Sequence, residues 1–281
     1  MFERGCIAKF TLGKRQRPSL FRAVAACALA ICALSLGSAY AQSTTAPLRI
    51  AAAADLQPVL PPILDQFQQA TGIHAEATYQ ASAALTAQIQ NGAPFDLFLS
   101  ADLSYPRRLI EARVATGIST SPTIPLIYAR GTLVLWTRTD SKWPKPSLAA
   151  LSDPNLQRLA IANPERAPYG RAAMSALASL KLGNSLKPKL VTAENISQTA
   201  QFAETGNADA GLISLTSAKT AHLQSIGSYF IIPSSLYPPI EQGAAIIASS
   251  KQRPNAQKFL DFLLSAPIQQ QLATSGLMPV K

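Results

Sequence analysis

Short apolar runs alternate with amphipathic stretches along most of the chain. Residues 48–54 form a nearly continuous apolar run, which predicts a buried strand. Apolar positions at helical spacing follow as far as Gly72, and they predict a helix with Asp55 as its N-cap. Pro61 and Pro62 lie inside that stretch and predict a kink or a delayed start. The alternation of strand and helix patterns favours an α/β fold.

The same patterns predict strands and helices as far as the C-terminus. Further strands are expected at 73–79, 95–100, 159–162, 210–213 and 244–248, and a new set of elements opens at 131–136. Further helices are expected at 105–113, 170–180, 256–264 and 268–274. Two more are expected to start at Ser82 and Asn195, with these residues as their N-caps. The elements divide into two sets, and we interpret the tail as returning to the first. This predicts two lobes, 42–127 with 232–281 and 128–231, with a cleft between them.

The first 41 residues have the pattern of a secretory leader. Six Lys and Arg residues precede an uncharged run at 23–36, and small residues follow up to Ala39-Tyr40-Ala41. This is typical of a cleaved signal peptide, and the run is shorter than the roughly 20 residues of a membrane anchor. Val24–Cys27 resembles a lipoprotein box, but Arg22 lies too close upstream. We expect cleavage after residue 41 and a periplasmic protein.

Removal of this leader changes the composition of the chain. All three cysteines lie in it, so the mature chain can form no disulfide and no cysteine-ligated metal site. The full chain has 25 basic and 15 acidic residues, and the part after the leader keeps 19 and 14, a balance of +5. This moderate charge is not the clustered pattern of a nucleic-acid-binding surface. No other long apolar segment follows, so we expect a soluble mature protein.

Sequence motifs of enzymes are absent from the chain. It has no G-x-S-x-G, G-x-x-x-x-G-K-[ST] or G-x-G-x-x-G motif, so neither a hydrolase elbow nor a phosphate-binding loop is predicted. The only histidines, His74 and His222, are far apart, and no cluster of Cys, His and carboxylate residues indicates zinc. We therefore expect a binding protein without a cofactor rather than an enzyme.

Five stretches carry a resemblance to a known family. They are 51–57 (AAAADLQ), 91–102 (NGAPFDLFLSAD), 162–172 (ANPERAPYGRA), 194–198 (ENISQ) and 207–211 (NADAG). In this order and spacing they resemble the periplasmic molybdate-binding family of type II solute-binding proteins. The resemblance implies two α/β lobes joined by a two-strand hinge. Such lobes close around one molybdate or tungstate ion, and the protein, which we expect to be a monomer, delivers it to an ABC permease in the inner membrane.

The resemblance also implies a set of anion contacts where strands give way to helices. By position these are Ala54, Asp55, Ser82, Tyr169 and Ile196, with Asn195 and Ser214 as possible additions. Some family members place a tyrosine where this chain has Ser214, so Tyr169 is expected to substitute for it. Molybdenum would be bound only as the molybdate oxyanion, through these same residues. A tetrahedral dianion has only acceptor oxygens, and helix N-termini supply N–H donors with a partial positive charge.

Asp55 departs from the family pattern, in which serine or asparagine is common. An ionised aspartate cannot donate a hydrogen bond to an anion, and it repels a dianion. Our preferred hypothesis is that the carboxylate turns back to cap the helix while the N–H of Asp55 faces the anion. The rival hypothesis is that the carboxylate accepts a proton from a protonated oxyanion such as hydrogen phosphate.

Other functions stay open at this point. The ligand of a binding protein could be another tetrahedral oxyanion such as sulfate or phosphate, or the protein could present its anion to a receptor kinase. A ferric-ion carrier is disfavoured because no two tyrosines of the mature chain are adjacent. A secreted hydrolase using Ser82 or Ser100 would lack a plausible base. Arg166 and Arg171 could steer anions towards the site, although solvated surface charges are the favoured interpretation.

Overall fold

Residues 46–279, the part of the chain that the computed structural model describes, contain two β-sheets. The first comprises β1 (Leu48–Ala53), β2 (Ala75–Gln80), β3 (Leu97–Ser100), β4 (Ala115–Thr116), β5 (Leu126–Gly131) and β11 (Ile240–Ile247). The second comprises β6 (Leu133–Arg138), β7 (Leu159–Ala162), β8 (Leu190–Ala193), β9 (Ala210–Ser214) and β10 (Gly227–Ile231). The predicted signal peptide, 1–41, lies outside the described residues.

Helices alternate with the strands of both sheets. With the first sheet lie α1 (Leu60–Thr71), α2 (Ser82–Gln90), α3 (Ser104–Glu111), α9 (Arg253–Leu263) and α10 (Ala266–Thr274). With the second lie α4 (Pro168–Ser179), α5 (Gly183–Leu186), α6 (Ile196–Glu204), α7 (Leu215–Ala218) and α8 (Ala221–Ile226). A membrane-spanning helix, long and apolar throughout, is not found in the described part of the chain.

Parallel pairs form the centre of each sheet. In the first sheet, β1 pairs in parallel with β2 and β3, and β11 runs antiparallel to β3, β4 and β5. In the second, β7 pairs in parallel with β8 and β9, and β6 runs antiparallel to β9 and β10. Helices cover both faces of a parallel sheet, so its strands are apolar on both sides. This explains the continuous apolar run of β1.

Alternate residues of β1 belong to different cores. Ile50 and Ala52 pack in the core that contains Phe67 of α1 and Phe259 of α9, whose rings meet edge-on at 5.1 Å. Ala51 packs on the opposite face with α2 and α3. The parallel strands therefore hold the turns at their carboxyl ends in fixed positions.

The chain passes between the two sheets twice. One crossing is Thr132, between β5 and β6, and the other runs through 232–239, between β10 and β11. The sequence pattern missed β4, β5, β8 and β10. The lobe boundary that we placed after residue 127 falls inside β5. The two lobe ranges stay a prediction, whereas the pairing of β11 with β3 puts the C-terminal strand in the first sheet.

Two predicted helix caps are wrong and one is correct. Asp55 lies inside a short 3₁₀ turn, 54–56, and α1 begins only at Leu60. Pro61 falls in the first turn of α1, where its missing N–H has no intrahelical acceptor; this is the delayed start that the prolines predicted. Ser82 is the first residue of α2 and not its cap. Asn195 does cap α6, because its side-chain oxygen accepts from the N–H of Gln198 at 3.0 Å.

Candidate functional site

The N-terminal ends of three helices meet the turn after β1 at one small buried cavity. Residues 53–55, 80–82 and 101 line it from the first sheet, and residues 167–169, 195 and 196 line it from the second. The lining includes six of the seven sequence-predicted site residues, namely Ala54, Asp55, Ser82, Tyr169, Asn195 and Ile196. The free space is about 10 Å³, which is about the room of one water molecule. The lining must therefore move outward to accept a larger ligand.

Ser214 is the predicted residue that does not line this cavity. It is fully buried and caps α7, where its hydroxyl oxygen accepts from the N–H of Ser217 at 3.3 Å. Its Oγ also lies 2.9 Å from the hydroxyl oxygen of Thr216. Ser214 therefore stabilises the start of α7 and has no place among the cavity-lining groups.

The helix ends around the cavity present backbone N–H groups. The first N–H groups of a helix have no intrahelical acceptor. At α6, the side chain of Asn195 occupies only the N–H of Gln198, so those of Ile196 and Ser197 keep their donor capacity. At α4, Pro168 has no N–H, while Gly170 donates to the carbonyl of Ala167 at 3.0 Å. The N–H of Tyr169 is consequently the donor that α4 offers to the cavity.

Ser82 contributes its hydroxyl as well as its place at the start of α2. The Oγ atom accepts a hydrogen bond from the N–H of Ala101 at 3.1 Å. A serine hydroxyl has one donor and two acceptor sites, so this bond leaves the O–H proton available. Ser82 is 1% exposed, and its hydroxyl is therefore a buried, uncharged donor in the lining.

Asp55 is the centre of a buried hydrogen-bond network, not a helix cap. Its Oδ2 accepts from the hydroxyl of Tyr169 at 3.0 Å and from Nε2 of Gln242 at 2.6 Å. The hydroxyl of Tyr128 in turn donates to Oε1 of Gln242 at 3.0 Å. The other carboxylate oxygen, Oδ1, has no hydrogen-bond partner among residues 46–279. The preferred helix-capping hypothesis is therefore wrong, because the carboxylate faces the second sheet and β11.

The hydroxyl of Tyr169 is occupied by this network. A tyrosine has a single O–H donor, and here it points to Asp55. It cannot donate to an anion while that bond is made. Tyr169 lines the cavity as predicted, but its backbone N–H and its ring are what it contributes in this arrangement.

Burial raises the pKa of the Asp55 carboxyl to about 6. The group is completely shielded from water, which disfavours the charged form. Hydrogen bonds from Gln242, Tyr169 and its own backbone N–H lower the pKa without cancelling this effect. Burial, followed by the negative charge of Asp55, also raises the pKa of Tyr128 and Tyr169 well above 10. Both tyrosines are thus neutral donors at physiological pH.

Sequence reasoning missed Gln242 and Tyr128. Both are buried on strands of the first sheet, at positions 187 and 73 residues after Asp55. Tyr128 lies in the missed strand β5, and β11 begins four residues earlier than its predicted start. A buried glutamine within an apolar strand was the available signal, because such a side chain needs partners for both its donor and its acceptor.

Several hydrogen bonds connect the two sides of the cavity. The hydroxyl of Ser197 donates to the carbonyl of Ala54 at 2.9 Å, and the hydroxyl of Thr216 donates to that of Asp55 at 2.7 Å. Nearby, the guanidinium of Arg171 on α4 pairs with Asp102 and donates to the hydroxyl of Tyr105 at 3.0 Å. In this arrangement these contacts hold the two sides of the cavity together. Arg171 thus bridges the two sides, in contrast to the predicted role of a solvated surface charge.

Arg166 behaves differently from Arg171. Its side chain is exposed and pairs at 3.0 Å with Glu194, which also belongs to the second-sheet side. This pair does not cross the cavity. Arg166 therefore fits the favoured interpretation of a solvated surface charge.

Within residues 46–279, no group of His, Cys, Asp and Glu side chains is arranged to hold a metal ion.

The profile of the family described as bacterial extracellular solute-binding protein matches residues 48–277. The chain belongs to this family. This solute-binding protein is 36% identical to the molybdate-binding protein ModA of Azotobacter vinelandii, over 83% of its own length and 90% of that protein. It is 37% identical to the molybdate-binding protein ModA of Rhodobacter capsulatus, over 70% and 74% of the two chains.

Solved structures agree with this assignment. A periplasmic molybdate-binding protein of Azotobacter vinelandii has a TM-score of 0.77 and 28% identity, covering 83% of this chain and all of the other. The sulfate-binding protein SubI of Mycobacterium tuberculosis has a TM-score of 0.67 and 16% identity, over 84% and 88% of the two chains. That second likeness shows the fold alone. The predicted type II periplasmic binding fold is confirmed.

Proposed function

We propose that this solute-binding protein captures molybdate, and tungstate with it, as its ligand. One observation carries the proposal: three helix N-termini from two sheets converge on a buried cavity whose lining contains no Lys, Arg or His. A dianion without protons can be held by such uncharged donors, because each helix end adds about half a positive charge. The molybdate-binding proteins among the relatives support this ligand.

The donors suffice for tight binding. The N–H groups of Tyr169 and Ile196 and the hydroxyl of Ser82 are uncharged, and each can donate one bond to a bound anion. Charge-assisted bonds contribute about 1.5–3 kcal/mol each. Several of them reach the roughly 8 kcal/mol of micromolar binding. Selection against sulfate then follows from size, because molybdate and tungstate are larger ions of the same shape.

We infer how the ligand enters and is retained from the hydrogen bonds that join the two sides of the cavity. Ligand enters when the cross-cavity bonds of Ser197, Thr216 and Arg171 separate, and it is retained when they form again. We infer that the protein works as a monomer in the periplasm after loss of its leader and hands the ion to an ABC permease. The ion is cargo and not a cofactor. A hydrolase is disfavoured, because His74 and His222 pair with surface glutamates away from Ser82.

Calorimetry with molybdate, tungstate, sulfate and phosphate tests the ligand. We expect molybdate and tungstate to bind at sub-micromolar concentration and sulfate to bind far more weakly. An Ile196→Pro variant removes one N–H at the first helical position, where proline is tolerated, and should weaken molybdate binding about 10-fold or more. Ile196→Ala, which loses the side chain but keeps that N–H, is the matched control. A preference of the wild type for sulfate or phosphate would contradict the assignment.

Arg171→Ala is expected to weaken molybdate binding by roughly 2- to 10-fold. The partly exposed Arg171–Asp102 pair joins the two sides beside the cavity, and pairs of this exposure contribute about 1 kcal/mol. The loss should appear as faster release in stopped-flow fluorescence and should shrink at high salt. Arg166→Ala is the control, since its pair with Glu194 stays on one side. Equal effects of both variants would refute a bridging role for Arg171.

A further inference from the structure

The carboxyl group of Asp55 stands inside the candidate anion site with one oxygen unused. Asp55 is among the residues that line the cavity, and it is 0% exposed. The two donors that reach it from other residues, Tyr169 and Gln242, both bind Oδ2. Oδ1 has no partner among the described residues. A buried polar atom without a partner is unusual in a folded protein and calls for a functional explanation.

An ionised Asp55 conflicts with a dianion in the same cavity. Like charges repel strongly at short range where water is excluded. The twelve lining residues include no cationic side chain that could compensate. The two bonds to Oδ2 come from neutral donors, and they leave Oδ1 as a buried acceptor without a partner among the described residues. A dianion in this cavity also has only acceptor oxygens.

We propose that Asp55 binds the anion as a neutral carboxylic acid, donating a proton from Oδ1 to one anion oxygen. This inference rests on the proposed oxyanion function of the site. One proton is taken from solvent for each anion bound, and it returns to solvent when the anion leaves. No covalent bond of the anion changes. Tyr169 and Gln242 keep Oδ2 as the acceptor, and this fixes which oxygen carries the proton.

The surroundings of Asp55 support the uptake of a proton. The titratable groups that face it are Tyr169 on α4 and Tyr128 on β5, and both are neutral donors. From α6 and α7 the hydroxyls of Ser197 and Thr216 bind main-chain carbonyls of the turn. The charged residue of β2, Glu76, is exposed and pairs with His74. The pKa of about 6 leaves Asp55 within easy reach of protonation near neutral pH.

The sign of the pH dependence follows from this arrangement. Free Asp55, with its pKa of about 6, is half protonated near pH 6 and about 1% protonated at pH 8. If only the protonated form binds, molybdate affinity falls about 50-fold between these two pH values. Asp55→Asn keeps an acceptor for Tyr169 and Gln242 and offers an N–H donor in place of Oδ1–H. Its affinity should be independent of pH and should exceed that of the wild type by about 100-fold at pH 8.

Calorimetry of molybdate binding, from about pH 6 to 8.5, measures these affinities. Titrations of the wild type in buffers of different ionisation enthalpy also count protons: we expect about one taken up per ion at pH 8, and none in Asp55→Asn. This count needs no variant, so it holds even if Asp55→Asn fails to fold. Asp65→Asn, the same charge change at an exposed position of α1, should behave as the wild type does. Any titration of the ligand itself would appear equally in all three proteins.

The outcomes separate this inference from the proposed function. Molybdate binding without proton uptake, and with the same pH profile in the wild type and Asp55→Asn, would overturn the inference and leave the function intact. Absence of oxyanion binding by all three proteins would overturn the function and the inference with it. Tight phosphate binding at pH 8 that is lost in Asp55→Asn would also overturn the inference, because an ionised Asp55 would then be accepting a proton from hydrogen phosphate.

Discussion

Replacing Gly170 with alanine is expected to lower the free energy of unfolding by about 3 kcal/mol and to remove most oxyanion binding. A Cβ atom at Gly170 would lie 2.2 Å from the carbonyl oxygen of Ala162 and 2.9 Å from the carbonyl carbon of Asn163. These are main-chain atoms at the end of β7, which is held on both sides by β8 and β9. They cannot yield as a flexible side chain can, so the helix must move instead.

The displacement acts directly on the site. Gly170 follows Tyr169, which lines the cavity, so a shift of α4 withdraws one helix end from the ligand. Urea unfolding followed by circular dichroism measures the stability, and calorimetry with molybdate measures the binding. Gly183→Ala, at a position where a Cβ meets nothing within 4 Å, should lower neither the stability nor the binding. Wild-type stability in Gly170→Ala would show that α4 does not depend on this close approach.

Asp55→Asn is expected to change the pH dependence of stability by about 2 to 3 kcal/mol. The pKa of Asp55 is raised from 3.8 to about 6 on folding, so between these values the native state holds more protons than the unfolded state. Its contribution to stability is therefore full below about pH 4 and is lost as pH rises through 6. Two pKa units correspond to about 3 kcal/mol. The stability of Asp55→Asn relative to the wild type should rise by this amount between pH 3.5 and 7.5.

Urea unfolding of both proteins at several pH values, in buffers free of oxyanions, measures this difference. Any effect of the asparagine amide on the free energy of unfolding that does not depend on pH cancels, because the difference between the two proteins is compared between pH values. Asp65→Asn should show no comparable trend, since Asp65 is exposed. A constant difference between Asp55→Asn and the wild type across this range would mean that the carboxyl titrates normally, and it would remove the physical basis for proton uptake at the site.

Prediction from the sequence succeeded where local chemistry decides the outcome. The apolar run of β1 and the end of α1 at Gly72, which adopts the left-handed φ of 73°, follow from residue type alone. The cap of α6 by Asn195 is equally local. The residues around the cavity were predicted through the resemblance to a family. The matched motifs include the turns between strands and helices, so aligning the motifs also locates those turns.

Prediction failed where side chains find partners across the fold. Asp55 and Ser82 have the residue types of helix caps, and a local reading placed both there. In the structure, Asp55 meets Tyr169 and Gln242, which are 114 and 187 positions away in sequence, and Ser82 meets the N–H of Ala101. Partners of this kind outweigh a local cap because a buried polar group must be satisfied wherever a donor is available.

The sequence by itself determined the class of the protein: an α/β chain with helices that begin where strands end, and with no cysteine after residue 41, the predicted end of a leader. Only the tertiary structure decided which oxygen of Asp55 accepts hydrogen bonds, to which group the hydroxyl of Tyr169 donates, and which arginine joins the two sides of the cavity. The physical reason is that strand and helix patterns are encoded over a few neighbouring residues, whereas the environment of a buried charge is set by groups that meet only after both sheets have folded.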